Sequence, residues 1–134
     1  MNRLTIFADG ASRGNPGLSS IGALIRSDKG EAVARISQKI GRATNNQAEY
    51  RALITALEEA IRLGGEQVEI RMDSQLVVRQ VRGQYRVKSP SIKPLYQQVI
   101  TLLSKLTGFT ITHIPRRQNQ EADSLANKAL DQTC

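Results

Sequence analysis

Four acidic residues stand at positions where structure alone gives them little to do. Asp9 and Asp73 each follow directly after a short apolar segment that reads as a strand, and ligands and catalysts collect at strand ends in open sheets. Glu49 and Asp123 share a helical face with apolar residues, where an unpaired charge is costly. If the four carboxylates converge, they repel one another unless cations lie between them. The pattern favours two Mg²⁺ ions, about 4 Å apart, that clamp a scissile phosphate.

Structural roles remain open for three of these carboxylates. Asp73 could cap the helix that is predicted to begin near Ser74, and Asp9 could form a turn before Gly10. Glu49 could act on a helix dipole, although an exposed position would serve that purpose equally well. The apolar face around Glu49 therefore favours the metal site.

The rarity of other reactive side chains narrows the chemistry further. The sequence has one histidine, one cysteine and no tryptophan. A cysteine-rich zinc site cannot form, and a serine–histidine–aspartate triad would have to use His113. A cysteine–histidine pair would need Cys134. An enzyme of this composition relies mainly on carboxylates, which bind hard divalent cations such as Mg²⁺ or Mn²⁺.

Length and composition predict an ordinary globular chain. The sequence has 134 residues, 40% hydrophobic and 23% charged, which predicts a single domain over residues 1–134 with a sizeable core. No apolar run is long enough to span a membrane, and the charge at Asp9 comes too early for a signal peptide. Cys134 alone allows no internal disulfide. We therefore expect a cytoplasmic monomer without a membrane partner.

Positive charge is concentrated in one stretch of the chain. The net charge of +7 comes from 19 basic and 12 acidic residues. Residues 74–120 contain eight basic residues and no acidic one, so the remainder holds 11 basic and 12 acidic residues, a net of −1. A solvated basic face is one interpretation, and a polyanion-binding surface is the other. Aromatic residues make up only 4%, which favours backbone contacts over base stacking.

Hydrophobic periodicity and turn residues predict nine elements in the order β-β-β-α-β-α-α-β-α. Thr44 and Gln47 form a capping box before the first helix, and residues 10–17 are expected to form a loop. Three consecutive strands followed by alternation indicate an α/β fold, one mixed sheet with helices on its faces. The predicted strands cover residues 3–9, 21–27, 32–40, 68–72 and 109–113, and the predicted helices cover residues 45–63, 74–83, 92–106 and a last segment capped by Asn119.

Four segments carry the carboxylates in a recognisable order: DGASRGNPG at 9–17, TNNQAE at 44–49, MDSQ at 72–75 and NQEADSLA at 119–126. Each segment alone is modest support, but the four together span nearly the whole chain and resemble type 1 ribonuclease H. The resemblance implies a ribonuclease H-like fold, with a mixed five-stranded sheet and helices on both faces. It also implies an endonuclease that hydrolyses the RNA strand of RNA–DNA hybrids, leaving 5′-phosphate and 3′-hydroxyl ends.

The resemblance also assigns residues. It implies two Mg²⁺ ions, with Mn²⁺ as a substitute, held by the catalytic carboxylates Asp9, Glu49, Asp73 and Asp123. Polar loop residues would read ribose 2′-hydroxyls and minor-groove edges, although turn and cap chemistry is the alternative for two of the asparagines, Asn15 and Asn45. The candidates for substrate binding are Gly10, Ser12, Gly14, Asn15, Thr44, Asn45, Asn46, Gln47, Ser74 and Arg79.

Two departures from the family pattern bear on function. Many members carry a histidine in a flexible loop before the last carboxylate. Here His113 belongs to the last predicted strand, so Arg116 or Arg117 is expected to assist catalysis by holding a phosphate. Some members also have a basic, tryptophan-containing handle, which the connector at residues 84–91 lacks. In this the chain resembles a compact subgroup, some of which also cut double-stranded RNA.

Two other classes of function compete with a nuclease. A non-catalytic module could keep the fold and bind hybrid or double-stranded RNA, but the loss of a carboxylate would be expected, and all four are present. A basic structural protein would leave Glu49 and Asp123 on apolar faces without an explanation. The leading hypothesis is a metal-dependent ribonuclease whose partner is an RNA–DNA hybrid.

Overall fold

Five strands, four α-helices and one 3₁₀ turn make up residues 2–131, the part of the chain that the computed structural model describes. The strands and helices follow one another in the predicted order. No helix within this range is long and apolar enough to cross a membrane. The strands are β1 (Arg3–Gly14), β2 (Gly17–Ser27), β3 (Ala32–Ala43), β4 (Gln67–Met72) and β5 (Gly108–His113), and the helices are α1 (Asn45–Arg62), α2 (Gln75–Val81), α3 (Lys93–Leu103) and α4 (Gln120–Asp131), with the 3₁₀ turn at Arg116–Gln118.

The strands form one mixed sheet in the order β3-β2-β1-β4-β5. Strand β2 pairs antiparallel with β1 and with β3, whereas β4 runs parallel to β1 and to β5. This topology confirms the predicted α/β fold class. The antiparallel and parallel halves meet at β1, where Ala8 lies opposite Met72 of β4. Asp9, the next residue of β1, and Asp73, which directly follows β4, are therefore neighbours at the carboxyl end of β4.

The first hairpin is longer than predicted. Residues 10–14 were expected in a loop, but they continue β1 and pair with β2 as far as Gly14. The hydroxyl groups of Ser12 and Ser19 each donate to the carbonyl oxygen of Ala43 over 3.1 Å. This part of the hairpin is held by backbone and hydroxyl hydrogen bonds, which need no alternation of apolar residues. The sequence pattern that locates strands is therefore missing there.

Helix α1 begins with the predicted capping box. Thr44 Oγ1 accepts a hydrogen bond from the backbone N–H of Gln47 over 3.1 Å, and Gln47 Oε1 accepts one from the backbone N–H of Thr44 over 2.9 Å. One residue beyond Glu49, the side chain of Tyr50 is fully buried, and its hydroxyl donates to Gln80 Oε1 on α2 over 2.7 Å. This buried bond ties the first turns of α1 to the helix that follows Asp73.

Helix α4 packs on the opposite face of the sheet, against β2. A Cβ atom at Gly22 would overlap the backbone of Ala122 and Ala126, so glycine allows the helix backbone to rest directly on the strand. The buried hydroxyl of Ser20 donates to the carbonyl oxygen of Ala126 and secures the same contact. This close approach fixes the position of Asp123, which lies between the two alanines.

Asn119 joins α4 to β1 instead of capping the helix through its side chain. Its Nδ2 donates to the carbonyl oxygen of Ala8 over 3.0 Å, while the buried Oδ1 has no hydrogen-bond partner among the described residues. The predicted side-chain cap at this position is therefore wrong, because the amide is used to hold the end of β1. The backbone oxygen of Asn119 accepts from the N–H of Asp123 over 3.1 Å, which starts the helix.

We expect Gly22→Ala to destabilise the protein. The added methyl group meets helix backbone, which cannot move aside as a flexible side chain could, and overpacking of this kind typically costs about 1–3 kcal/mol. Urea unfolding should show a lower midpoint for the variant. Gly108→Ala is the matched control, because a Cβ there meets nothing within 4 Å. Equal stability of the two variants would contradict a direct contact between helix and strand.

Candidate active site

Three carboxylates from separate elements meet at one end of the sheet. One ligand oxygen each from Asp9, Glu49 and Asp73 lies within 4.8 Å of the other two. The parallel pairing of β1 and β4 places the two aspartates side by side. Glu49 joins them because the backbone N–H of Gly10 donates to its Oε1. A Cβ at Gly10 would overlap the backbone of α1, so this glycine permits the contact.

The structural alternatives for the two aspartates do not hold. The residue that caps α2 is Ser74, whose hydroxyl accepts from the N–H of Val77 over 3.3 Å. Asp73 is thus free of the capping role. Asp9 lies within β1, which continues through Gly10, so it does not form a turn. Neither of the two predicted structural roles, helix cap or turn, therefore applies.

The electrostatics of this cluster favour a bound cation. Asp9 is only 6% exposed. Burial, followed by the nearby charge of Glu49, raises the pKa of Asp9 well above its ordinary value of 3.8. Burial also raises the pKa of Glu49 above 4.5, although hydrogen bonds with Asp9 and with the Gly10 backbone oppose the rise. Carboxylates that retain protons when they stand together suit a divalent cation, which can take the place of those protons.

Asp123, the fourth predicted ligand, faces the same cavity from α4. It lies close enough to Asp9 to add to the rise in the pKa of that group. Its Oδ1 is 3.5 Å from Arg116 Nη2 and 3.2 Å from Asn127 Nδ2. Asp123 is therefore shared between the acidic cluster on one side and two nitrogen donors on the other.

The structure separates the two candidate arginines and the histidine. Arg116 lines the cavity that contains the carboxylates, whereas Arg117 lines a different cavity beside Phe7 and Leu24. His113 is the last residue of β5, as predicted, and it does not line the carboxylate cavity. Of the three, Arg116 is the side chain placed to meet a group bound among the carboxylates.

The polar candidates for substrate binding also divide into residues that line the carboxylate cavity and residues that do not. This cavity has a volume of about 520 Å³. Ser12 and Gly14 lie in β1, and residues 45–47 form the first turn of α1, so most of these residues are not on loops as expected. Asn15 is in a turn, and its Oδ1 accepts from the backbone N–H of Asn45 over 3.0 Å. The candidates for substrate binding that line the cavity are Gly10, Ser12, Asn45, Asn46 and Ser74, and those outside its lining are Gly14, Asn15, Thr44, Gln47 and Arg79.

The basic stretch at residues 74–120 presents most of its charge to solvent. Seven of its eight basic residues are exposed, and the half-buried one, Arg79, stacks over the ring of Tyr85 at 5.2 Å from the centroid. Among the ion pairs of residues 2–131, only the one with Arg116 involves this stretch. Exposed cations without acidic partners are available to a polyanion.

Asn127 is a site residue that the sequence reasoning missed. It lines the cavity one helical turn after Asp123. Asparagine is a poor helix former, and a polar residue four positions after a candidate ligand on the same helix face was the available signal. The motif that identified Asp123 ended one residue too early to include it.

Comparisons with known proteins agree with this fold. A family model described as "Reverse transcriptase-like" matches residues 7–129. The chain is 46% identical over 129 residues to the ribonuclease HI of Halobacterium salinarum. The crystal structure of ribonuclease H1 from that organism superposes with a TM-score of 0.95 and covers 97% of this chain and 98% of the other. LC11-RNase H1, solved in complex with an RNA/DNA hybrid, has a TM-score of 0.90 at 41% identity, with 96% of each chain covered.

Several relatives are longer than this chain. The matched region is 96% of this chain but 65% of the Halobacterium salinarum protein. For the bifunctional protein Rv2228c of Mycobacterium tuberculosis, which is 45% identical, it is 36%. The range that the family model matches, residues 7–129, nevertheless includes all of the candidate ligands and both glycines at which a helix contacts the sheet. The chain belongs to the ribonuclease H family, within the reverse transcriptase-like group that the matching model describes.

Proposed function

We propose that the protein is a metal-dependent endoribonuclease that hydrolyses the RNA strand of RNA–DNA hybrids and leaves 5′-phosphate and 3′-hydroxyl ends. The observation that carries this proposal is the meeting of Asp9, Glu49 and Asp73 within 4.8 Å, with Asp123 on the same cavity. Membership of the ribonuclease H family supports it, as does the hybrid bound to LC11-RNase H1. The protein acts as a monomeric single domain over residues 1–134, in the cytoplasm.

The four carboxylates would hold two Mg²⁺ ions, with Mn²⁺ as a substitute. Such a pair of ions supplies a nucleophile from water and neutralises the charge on the leaving 3′-oxygen. Asp9 approaches from within β1 and Asp73 from the residue that follows β4, and the backbone N–H of Gly10 orients Glu49 by donating to its Oε1. The role of these residues is to bind and orient the cations, and Asp9 and Glu49, whose pKa values are raised, would give up their protons when the cations bind.

Substrate selection is assigned to the neutral polar groups around the carboxylates. Ser12, Asn45, Asn46 and Ser74 line the cavity and can reach ribose 2′-hydroxyls or minor-groove edges, which distinguish RNA from DNA. Gly10 lets the substrate-facing backbone of β1 lie against α1.

The remaining substrate-binding candidates act around this lining. Asn15 supports Asn45 because its side-chain Oδ1 accepts from the backbone N–H of Asn45 over 3.0 Å. Gly14 permits the tight end of the hairpin. Thr44 and Gln47 hold the first turn of α1 in place. Arg79, steadied by Tyr85, contacts a phosphate of the hybrid backbone.

Asp73→Asn should abolish cleavage without unfolding the protein. The amide keeps the shape of the side chain but loses the charge that binds cations, while Ser74 still caps α2. The measurement is cleavage of an end-labelled RNA–DNA hybrid with Mg²⁺, with Mn²⁺ and with a chelator, beside double-stranded RNA and double-stranded DNA. Product ends are identified by their response to phosphatase and to ligation.

Asp28→Asn is the matched control for that experiment. It removes one negative charge from the exposed end of the hairpin between β2 and β3, away from the cavity. We expect this control to cleave like the wild type. Near-wild-type turnover in Asp73→Asn would contradict the metal assignment, and hybrid binding without cleavage by the wild type would favour the non-catalytic alternative.

Mg²⁺ should stabilise the fold most at high pH. A carboxyl whose pKa is raised in the folded state adds stability below its unfolded pKa, and that stability is lost as the pH rises through the folded value. Without metal, the Asp9 and Glu49 pair should therefore lower Tm between pH 6 and pH 8. Binding to the native state alone adds about 2.7 kcal/mol when the ion is at a hundred times its Kd.

The variant that tests this expectation is Asp9→Asn. Its thermal unfolding is measured with chelator and with millimolar Mg²⁺. Loss of the buried charge should make the chelated variant less sensitive to pH than the wild type and should shrink its Mg²⁺ shift. Asp28→Asn should retain the full shift, because its carboxylate is exposed and outside the cluster. If Mg²⁺ does not change the Tm of the wild type at pH 8, the result would argue against a preformed metal site.

Arg116→Ala should lower the multiple-turnover rate by at least about tenfold, the worth of one charge-assisted hydrogen bond to a phosphate. Arg117→Ala is the comparison, because its side chain lies on another cavity and it removes the same charge from the neighbouring position. His113→Ala should change stability more than rate. Steady-state assays of the three variants decide between them. A rate loss confined to Arg117→Ala or His113→Ala would show that the assisting group has been assigned to the wrong residue.

A further inference from the structure

Asn127 makes two contacts with the same residue, Asp123. Its Nδ2 lies 2.9 Å from the backbone oxygen of Asp123 and 3.2 Å from the carboxylate oxygen Oδ1. The side chain is half-buried and lines the carboxylate cavity. An amide that donates to both the backbone oxygen and the carboxylate of one residue restricts the rotation of that residue's side chain. Asn127 therefore holds the carboxylate of Asp123 in one orientation.

Arg116 is the other donor on Asp123, but it is poorly suited to hold it. Its Nη2 is 3.5 Å from the same Oδ1, and its side chain is 77% exposed, compared with 28% for Asp123. Exposed ion pairs of this kind contribute little and are screened by salt. Asn127 is the shorter and more buried of the two donors, so it is the one that can fix the geometry.

We propose, on the basis of the proposed function, that Asn127 is a positioning residue for the metal site. Its Nδ2 donates to Oδ1 of Asp123, and among the hydrogen bonds of residues 2–131 no nitrogen donor reaches Oδ2, while Asp9 lies within hydrogen-bond reach of the same carboxylate. Asp123 thus offers one defined oxygen toward Asp9 and the cations, in place of two freely rotating ones.

The test is the binding of Mn²⁺ to the metal-free protein, measured by calorimetric titration and by the dependence of Tm on Mn²⁺ concentration. Asn127→Ala should weaken the binding of Mn²⁺ by about ten- to a hundredfold, the usual effect of removing a group that orients a metal ligand. In hybrid cleavage its kcat should fall while KM for the hybrid stays unchanged, and added Mn²⁺ should restore part of the rate. Asn127→Gln retains an amide donor and should recover part of the affinity.

Two further variants separate positioning from a general effect on α4. Ser124→Ala changes an exposed residue of the same helix that does not line the cavity, and it should bind Mn²⁺ like the wild type. In an Asp123→Asn background, Asn127→Ala should have no additional effect on Mn²⁺ affinity, because the residue acts through Asp123. Tm in chelator reports whether each variant is folded.

Asn127→Ala that binds Mn²⁺ like Ser124→Ala would overturn the inference, as would losses that multiply in the double variant. If the wild type cleaves hybrid and binds Mn²⁺ while either of these results holds, the proposed function stands and only the role of Asn127 falls. If the wild type binds no Mn²⁺ and cleaves no hybrid, both proposals fail.

Discussion

Direct contact between helix backbone and strand backbone governs the geometry of this protein. It occurs at Gly10, against the start of α1, and at Gly22, against α4. Each contact delivers one carboxylate, Glu49 on one face of the sheet and Asp123 on the other. A methyl group at either glycine would push a helix outward together with the carboxylate that it carries. The sheet thus sets the spacing of the cluster as a rigid reference, and the two glycines transmit that spacing to the helices.

The rest of the fold must tolerate the repulsion that this arrangement creates. Asp9 is almost completely buried, and its neighbours are other acids. The compensation comes from the hydrophobic core, in which Ile6, Leu53 and Ile70 are fully buried. Tyr50 and Gln80 add a hydrogen bond that is buried away from solvent. A strong core beside a strained charge cluster is the arrangement expected when binding, and not stability, determines the local sequence.

The sequence was most informative where a local rule decides the structure. The capping box at Thr44, the apolar face of α1 and the position of Asp73 directly after β4 all follow from spacing along the chain, and the structure confirms these placements. Asp9 was expected at the end of a strand, but it lies inside the longer β1. Prediction was poorer where contacts are long-range. The end of β1 is held by hydroxyl and backbone bonds without apolar alternation. The side-chain amide of Asn119 donates to the carbonyl oxygen of Ala8, 111 residues away, and no local sequence pattern predicts that hydrogen bond.

The contact between Ser20 and Ala126 joins positions that are 106 residues apart. The five strands, the first three helices and three of the four carboxylates all precede α4 in the chain. Until α4 docks, the face of β2 at Gly22 stays uncovered, and Asp123 has no place to occupy. Because Asp123 reaches the cavity only through α4, the complete set of ligands depends on the docking of that helix.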